Sequence, residues 1–357
     1  MSHFRTSLTF DDVLLEPQYS EVKSRTLVDT SSTLVSGITL KAPVVSSNMD
    51  TVTELAMAQT MDSIGAIGIL HRFMTVEEQV SQIKEFKTNG GIFIGAAIGV
   101  KKDCLKRAHD CIEAGADVLV VDVANGFSKA VGDTLSNLLR AYPDLKIIGG
   151  NVATTDGARF LIENGVSAVK AGIGGGSACT TRIVAGVGVP QLSAILNCAQ
   201  VCKEFNIPLI ADGGIRCPGD IAKAIAAGAD TVMVGGILSG SVESPGQVID
   251  RDGRLFKSYR GMASKGAMEK RREVEVKHLN GSSPEPRFEH LTPEGVETFV
   301  PFTGEKAADI INYHLGGLRS AMSYSNALTI KEFQENAKFI RITSAGMAES
   351  LPHALNR

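Results

Sequence analysis

The chain has 357 residues, 43% of them hydrophobic, and a formal net charge of -3 at pH 7. That length suits one large α/β barrel or two ordinary domains, and the nearly balanced charge gives no electrostatic basis for binding nucleic acid or an anionic membrane. No apolar run reaches the roughly 18 residues that cross a bilayer, and the N-terminus lacks the apolar segment of a signal peptide. The six cysteines lack the density of a disulfide scaffold, so we expect a cytoplasmic protein.

Short apolar, β-branched runs alternate with amphipathic stretches along most of the chain. In chain order, the predicted strands are 43–46, 66–70, 92–98, 118–122, 146–149, 168–170, 208–212 and 231–234. The predicted helices between them include 75–86, 102–114, 128–141, 155–164, 191–205 and 218–227. Eight such units predict a parallel (β/α)8 TIM barrel, an α/β fold. An open doubly wound sheet is disfavoured, because no Gly-x-Gly-x-x-Gly opens a helix after the first strand.

Polar or glycine-rich residues follow several of the predicted strands. These segments are 46–50, 122–126, 150–151, 212–214 and 235–236. In a barrel the C-terminal ends of the strands meet at one rim, where active sites are assembled. A single acidic strand end can instead cap the next helix, but several on one rim predict a site.

The segment 170–182 is the most informative motif of the chain. Glycines crowd in ahead of Cys179, and two threonines follow it. Glycine lets a ligand approach the main chain closely, so this cysteine is placed for chemistry on a bound molecule. The alternative is a cysteine that merely packs in the core. Thr181 can hydrogen-bond an attacking or leaving group, and Glu294 is the candidate proton partner unless it is an ordinary surface carboxylate.

Two glycine pairs follow the last two predicted strands, at 213–214 and 235–236. In barrels this region often holds phosphate through backbone N–H groups, and Asp212 beside it can accept hydrogen bonds from sugar hydroxyls. The alternative is a pair of tight turns.

The helix–strand pattern breaks at 271–299. This stretch is first charged and then rich in glycine, serine and proline. A long excursion of this kind in a compact domain predicts a lid or a disordered loop. Helical spacing returns at 306–322, and 330–357 forms a tail. We therefore predict one barrel domain over 1–357 that carries a lid at 271–299.

These segments together resemble the IMP dehydrogenase/GMP reductase family over essentially the whole chain. The matching motifs are 7–15, 49–52, the Cys179 loop, 212–214 and 259–262. Gly175 and Ala178 replace the more usual proline and larger aliphatic residue. The regulatory CBS pair of many dehydrogenases is missing, because 73–75 runs almost directly into the next barrel unit. The resemblance implies a homotetrameric barrel that binds a purine nucleotide.

The resemblance also implies roles for individual residues. Cys179 would bond covalently to purine C2, with Thr181, Glu294 and Arg287 as further catalytic residues. The substrate site would comprise Asn48, Met49, Ser177, Asp212, Gly214, Gly235, Gly236, Tyr259, Gly261, Met262 and Ala263. Of these, the phosphate residues would be Ser177, Gly214, Gly235, Gly236 and Tyr259. Asp212 would hold the ribose, and the backbone near Met262 and Ala263 would contact the base. The nicotinamide cofactor would contact Asp122, Ala124, Asn125, Gly126, Gly172 and Gly174. The carbonyls of Gly174, Gly176 and Cys179 would form half of a potassium site.

Two activities share the covalent intermediate. A dehydrogenase oxidises IMP with NAD and hydrolyses the adduct to XMP, typically with an Arg-Tyr pair on the lid. The matching residues here are Arg287 and Phe288, and phenylalanine has no hydroxyl to join a proton relay. A reductase expels ammonia from GMP and takes hydride from NADPH to give IMP. Thr181 with Glu294 resembles the reductase arrangement, as do Asn48 and the segments 71–73 and 122–126.

Other segments point the other way. The long lid and the segments 183–190 and 344–350 look like those of dehydrogenases. We give more weight to residues that face the substrate, because function depends on the site rather than on the framework. We therefore predict a GMP reductase that uses NADPH. The alternatives are an NAD-dependent IMP dehydrogenase and a non-catalytic barrel that senses purine nucleotides.

Overall fold

The computed structural model describes residues 4–101, 103–278 and 292–352. In chain order the strands are β1 (Val13–Leu15), β2 (Ser32–Val35), β3 (Ile38–Leu40), β4 (Val44–Ser46), β5 (Ile67–Leu70), β6 (Ile94–Ile98), β7 (Val118–Asp122), β8 (Ile147–Val152), β9 (Ala168–Ala171), β10 (Leu209–Asp212), β11 (Thr231–Val234), β12 (Val248–Arg251), β13 (Arg254–Arg260), β14 (Glu297–Pro301) and β15 (Phe339–Arg341). The helices are α1 (Leu55–Ser63), α2 (Val76–Thr88), α3 (Cys104–Glu113), α4 (Lys129–Ala141), α5 (Thr155–Glu163), α6 (Thr181–Val184), α7 (Gln191–Phe205), α8 (Pro218–Ala226), α9 (Lys265–His278), α10 (Ala307–Tyr324), α11 (Ile330–Asn336) and α12 (Ser344–Glu349).

Strands β4 to β11 form a closed parallel barrel. They follow one another in chain order around it, and β11 pairs with β4 through Val234 and Ser46 to close the ring. Each of the eight predicted strands corresponds to one barrel strand, so the (β/α)8 prediction is confirmed. Only residues 71–75 separate β5 from α2, so this junction has no room for a further domain.

The barrel has an inner and an outer core. The inner core contains Val45, Ile67, Ile69, Ala97, Val118, Val120, Ile148, Ala168, Ile210 and Met233, together with Leu34, Val35, Ile38 and Leu40 of the β2–β3 hairpin. Because β3 ends just before β4 begins, this hairpin closes the N-terminal end of the barrel. The outer core packs the helices against the strands. The C-terminal ends of the strands are left to form a site.

A three-stranded antiparallel sheet, β12–β13–β14, follows the barrel. Strand β13 ends at Arg260, directly before the segment 261–263 at the barrel mouth. The predicted tail contains α11, β15 and α12, and β15 pairs antiparallel with β1. Residues 353–357 of the tail lie outside the described part of the chain.

The described parts of the predicted lid, 271–278 and 292–299, contain the end of helix α9 and the start of strand β14. Helix α9 extends to His278, so the prediction of an irregular segment was wrong for 271–278. The helix carries an i,i+4 ion pair between Lys265 and Glu269 at 4.0 Å, and charged side chains give it no clear apolar stripe. Residues 279–291 lie outside the described residues, and the lid itself stays a prediction.

We also searched residues 4–101, 103–278 and 292–352 for membrane-spanning segments. Among them, no helix combines the length and the apolar character needed to cross a bilayer.

Candidate active site

A cavity of about 500 Å³ opens at the C-terminal end of the barrel. Its walls come from the ends of several strands, the Cys179 loop, the segment 261–263 and the chain around Glu294. The predicted site residues that line it are Asn48, Met49, Asp122, Ala124, Gly172, Gly174, Gly176, Cys179, Thr181, Asp212, Tyr259, Gly261, Met262, Ala263 and Glu294. The structure therefore brings most of the predicted residues into one cavity.

Cys179 lies between β9 and the short helix α6, half-buried at the cavity wall. Its S–H group donates to Thr181 Oγ1 at 3.2 Å. Cys111 and Cys198 lie in the core instead, where burial raises the pKa of both thiols to about 12. Those two thiols stay protonated and unreactive near neutral pH, whereas Cys179 faces the open site.

Glu294 reaches this site through backbone pairing. The Thr180 N–H donates to the Glu294 carbonyl at 2.9 Å, and the Glu294 N–H donates to the Ala263 carbonyl at 3.0 Å. The chain at 294 therefore runs between the Cys179 loop and the segment 261–263. Gly261 permits this approach, because a Cβ there would lie only 2.6 Å from the Ala178 carbonyl oxygen. Sequence spacing alone gives no sign of this proximity.

Of the predicted phosphate residues, Tyr259 lines the cavity, whereas Ser177, Gly214, Gly235 and Gly236 do not. Ser177 and Gly236 lie beside Tyr259, and Gly235 lies beside Met49. The hydroxyls of Ser177 and Tyr259 lie 2.9 Å apart. A Cβ on Gly236 would lie 2.8 Å from Ser177 Oγ, and one on Gly235 would lie 3.1 Å from Met49 Sδ. The bare backbone here leaves room for a small anionic group. Burial raises the pKa of Tyr259, although its hydrogen bond to Ser177 opposes the shift, so its phenol stays neutral.

Gly214 adopts a φ of +78°, in the left-handed region that favours glycine. A Cβ there would meet the Phe10 ring at 3.4 Å and Gln191 at 3.5 Å. The glycine thus lets the loop after β10 turn tightly beside Asp212. The sequence left open whether this glycine forms a tight turn or holds phosphate. It forms a tight turn, and its role in phosphate binding stays a prediction.

A group of charged residues spans the cavity floor. The Lys170 ammonium donates to Asp212 Oδ2 at 2.7 Å and to Asp122 Oδ1 at 3.2 Å. Asn151 Nδ2 donates to Asp212 Oδ2 at 2.8 Å. Lys170 and Asn151 lie in the segments 170–182 and 150–151 that the sequence pattern singles out, but the pattern predicted a role only for the two carboxylates. A lone lysine in the apolar strand β9 was the available signal.

Asp122 is ionised in this setting. Burial alone would raise the pKa of its carboxyl, but the positive charges of Lys170 and Arg72 and a hydrogen bond from the Asn48 side chain together lower it. Asn48 is only 5% exposed. Asn48 lines the cavity, and its side-chain amide carries both donor N–H groups and an acceptor oxygen.

Asn125 and Gly126 shape the loop after β7 rather than the cavity wall. Asn125 Oδ1 accepts from the Phe127 N–H at 3.1 Å. The Gly126 N–H donates to the Asn151 carbonyl at 2.7 Å, and a Cβ on Gly126 would lie 3.0 Å from the Gly150 carbonyl carbon. Their contribution to a cofactor site stays a prediction.

A second cavity of about 170 Å³ adjoins the first and shares Arg72, Val123 and Arg271 with it. Arg107 and Lys101 also line it, so positive charge dominates over the single carboxylate of Asp103. The Arg72 Nε is buried and has no hydrogen-bond partner among the described residues. This chemistry fits the phosphates of a dinucleotide cofactor.

The potassium expectation concerns backbone carbonyls. Gly174 has a φ of +81°, and the Gly176 carbonyl already accepts from the Cys179 N–H at 3.1 Å. In the part of the chain that the structure describes, no group of three or more His, Cys, Asp or Glu side chains is arranged to hold a metal. A potassium site on the carbonyls stays a prediction. Arg287 and Phe288 lie outside the described residues.

Comparisons with known proteins agree with this geometry. The model of the IMP dehydrogenase/GMP reductase domain matches residues 7–353. An inosine-5'-monophosphate dehydrogenase of Nitrosopumilus maritimus is 36% identical over 98% of each chain, and one of Cryptosporidium parvum is 40% identical over 97% of this chain and 94% of the relative. A GMP reductase of Leishmania donovani is 36% identical over 98% of this chain and 97% of the relative.

Among solved structures, a cysteine-to-alanine variant of Trypanosoma brucei GMP reductase, in complex with guanosine 5'-monophosphate, superposes with a TM-score of 0.92. It is 34% identical, and the match covers 99% of both chains. The chain therefore belongs to the IMP dehydrogenase/GMP reductase family of NAD(P)-dependent oxidoreductases, which confirms the fold and enzyme class predicted from the sequence.

Proposed function

We propose that this protein is a GMP reductase that converts GMP and NADPH to IMP, ammonia and NADP. The observation that carries the proposal is the placement of Thr181 and Glu294 beside Cys179 at one cavity wall. Release of ammonia needs a proton donor for the departing amine. Thr181 lies beside the sulfur and Glu294 lines the same cavity, and we infer that the proton passes between them.

The proposed chemistry has two steps. The Cys179 thiolate attacks purine C2, a C–S bond forms, and the C–N bond to the 2-amino group breaks as the amine takes a proton and leaves as ammonia. The nicotinamide then supplies a hydride to C2. The new C–H bond carries that electron pair, the C–S bond breaks, and the thiolate is regenerated as IMP leaves. Thr181, 3.2 Å from the sulfur, is placed to pass the proton.

The nucleotide would lie with its phosphate among Ser177, Gly236 and Tyr259 and its ribose on Asp212. This orientation directs the base toward Cys179. The Asn48 side chain lines the cavity, and its amide oxygen would accept a hydrogen bond from the 2-amino group of GMP. IMP has no amino group at C2, so this contact favours GMP.

The cofactor would extend from Cys179 past Asp122 and Ala124 toward the positively charged second cavity. Arg72 and Arg107 would neutralise its phosphates there. Asp122 is ionised, so it can accept hydrogen bonds from the cofactor ribose. NADPH carries one phosphate more than NADH, on its adenosine ribose, and the positive charges of this cavity would favour the cofactor with the additional phosphate.

IMP dehydrogenase is the second candidate function. Relatives with that name match the chain as fully as the GMP reductase of Leishmania donovani does. The segments 183–190 and 344–350 favour it as well. It would require the lid to activate water for hydrolysis of the same covalent intermediate.

We also propose that the protein is a tetramer. Ile183 is 86% exposed and Val187 is 57% exposed, both on the loop just after Thr181. Exposed apolar side chains grouped beside an active site are typical of a contact surface. Light scattering coupled to size exclusion should give four times the monomer mass, and a monomer at micromolar concentration would contradict this proposal.

One spectrophotometric assay separates the candidates. We expect the near-ultraviolet absorbance of the reduced nicotinamide to fall with GMP plus NADPH. A rise with IMP plus NAD, and no loss with GMP, would establish a dehydrogenase. If neither GMP plus NADPH nor IMP plus NAD reacts, while the protein still binds GMP or IMP, a non-catalytic purine-nucleotide sensor becomes the better description.

A further inference from the structure

One buried lysine connects the two halves of the site. Lys170 lies on β9, and its side chain is 2% exposed. Asp122 at the end of β7 and Asp212 at the end of β10 both contact it, and Asn151 on β8 contributes its side-chain oxygen. These residues come from four consecutive strands of the barrel, so the cluster belongs to the rigid scaffold and not to a loop.

The cluster is held by short, directional contacts. Lys170 Nζ lies 2.7 Å from Asp212 Oδ2 and 3.2 Å from Asp122 Oδ1. Asn151 Nδ2 donates to the same Asp212 oxygen at 2.8 Å and to the Gly172 carbonyl at 2.8 Å. One oxygen of Asp212 is therefore fully engaged, which leaves its second oxygen for a ligand.

The charges explain why the lysine is retained in a buried position. Burial opposes the charge of Lys170, but Asp212 and Asp122 outweigh it and raise its pKa, so the ammonium stays protonated. Each carboxylate is about one-fifth exposed, enough to contact a ligand. Without the ammonium, two carboxylates would face each other across a partly dry site, and such pairs do not both stay ionised.

We propose that Lys170 is a positioning residue that fixes Asp122 and Asp212 in one geometry, so that a single ammonium prepares the binding of both nucleotide and cofactor. The assignment of Asp212 to the nucleotide ribose and Asp122 to the cofactor rests on the proposed function. The consequence is specific. Loss of one carboxylate weakens one ligand, whereas loss of Lys170 weakens both.

The test compares Lys170→Met with Lys170→Arg, measured by calorimetric titration of GMP or IMP and of NADP or NAD. Binding is measured without turnover, so the result does not depend on which reaction the enzyme catalyses. We expect Lys170→Met to raise the Kd of nucleotide and of cofactor about tenfold or more each. Lys170→Arg, which keeps the charge and the donors, should recover most of both affinities.

A matched control is Lys87→Met. Lys87 on α2 forms an ion pair with Asp117 at 2.8 Å. Asp117 directly precedes β7, so this ion pair lies at the end of the barrel opposite to the candidate active site. This variant should bind both ligands as the wild type does. Equal losses in Lys87→Met and Lys170→Met would mean that the effect is one of general stability and would overturn the proposal.

The pH profile gives a readout that packing alone would not change. The charged and titratable groups facing the carboxylates are Lys170, Arg72 beside Asp122 and Tyr259 beside Asp212. In Lys170→Met one carboxylate should take up a proton as pH falls toward the acidic side of neutrality, and ligand affinity should fall with it. The wild type and Lys170→Arg should show no such dependence.

Lys170→Gln is the second variant if Lys170→Met does not fold, because an amide keeps a donor in the cluster. It should show the same pH dependence with a smaller loss of affinity. A folded Lys170→Met or Lys170→Gln protein that binds both ligands with unchanged Kd, or loses affinity for one of them alone, would refute the proposal. Failure of the proposed reductase activity would leave these binding results intact.

Discussion

Arg260 is the residue whose removal has the most calculable effect on the active site. It follows Tyr259 and precedes Gly261, and its guanidinium binds the carboxylate of Asp50, which is 0% exposed at the side chain. Arg260 Nε lies 3.1 Å from Asp50 Oδ2, and Nη2 donates to the same oxygen. Lys270, at 3.8 Å, is the next cation from this carboxylate. Arg260→Met therefore leaves the buried carboxylate with a single, longer ion pair, to the partly exposed Lys270.

The expected magnitude follows from that burial. A buried charge that loses its partner costs about 3–5 kcal/mol, because it is desolvated without compensation. Lys270, at 3.8 Å from Asp50, is kept in the variant, so we expect a loss at the lower end of that range, about 3 kcal/mol. For a chain of 357 residues, an unfolding entropy of roughly 2.1 cal/mol/K per residue turns about 3 kcal/mol into a fall in Tm of about 4 °C. Asp50→Asn in the Arg260→Met background removes the weakly compensated charge, so most of that loss should return.

Thermal unfolding followed by circular dichroism, at neutral pH and fixed salt, measures both effects. The same variants should raise the KM for the nucleotide, because Arg260 holds the strand that presents Tyr259 and the segment 261–263. An Arg260→Met protein with Tm unchanged within about 1 °C would refute the reasoning. So would a double variant that is no more stable than Arg260→Met alone.

Two further predictions concern single carboxylates. Glu294→Gln should lower GMP turnover by about 10²–10⁴-fold, because a general acid is lost and ammonia is released more slowly. Rapid-quench measurement of ammonia checks this, with Glu305→Gln at an exposed position as the control. Unchanged turnover in Glu294→Gln would count against the proton path. Burial raises the pKa of Asp230 to about 6, above its unfolded value of about 3.9, so the folded state binds the proton more tightly and stability falls as pH rises from about 4 to about 6. Asp230→Asn keeps an acceptor for the Leu209 N–H, which lies 2.7 Å from the carboxylate in the wild type. The free energy of unfolding should rise by about 1–3 kcal/mol near neutral pH but by little near pH ~4. Urea titrations at both pH values measure this, and an equal gain at both would contradict the prediction.

The barrel was predictable because its strands are buried on both faces and therefore form continuous apolar runs. Helix α1 was not among the predicted helices. Its residues Met57, Ala58 and Met61 are buried, and Ala58 packs so closely on β5 that a Cβ at Gly68 would lie 2.6 Å from the Ala58 Cα. The helix therefore lacks the clear division into an apolar and a polar face that would have predicted it from the sequence. Strands β12 and β14 were missed because most of their residues are exposed. Strand β13 was missed because its buried residues are Lys257 and Tyr259 and not a continuous apolar run.

The residues of the candidate site also fall into two groups, those that local motifs predict and those that only the fold brings together. Cys179 and Asp212 were predictable because each belongs to a local motif at a strand end. The approach of Glu294 to Cys179 depends on the pairing of distant backbone segments, which no local spacing encodes. Lys170 begins the segment 170–182, but no role was predicted for it because a lysine in an apolar strand gives no sign of its partners. Its role appears only when β7, β8 and β10 are placed beside it.

The central claim is that the Cys179 sulfur bonds to C2 of a purine nucleotide. Intact-protein mass spectrometry after rapid acid quench of enzyme turning over GMP with NADPH tests it most directly, with Cys179→Ala as the control. We predict an adduct of nucleotide mass, less ammonia, mapped by peptide analysis to Cys179 and absent from the variant. Sustained turnover by Cys179→Ala, or an adduct on any other residue, would contradict this account.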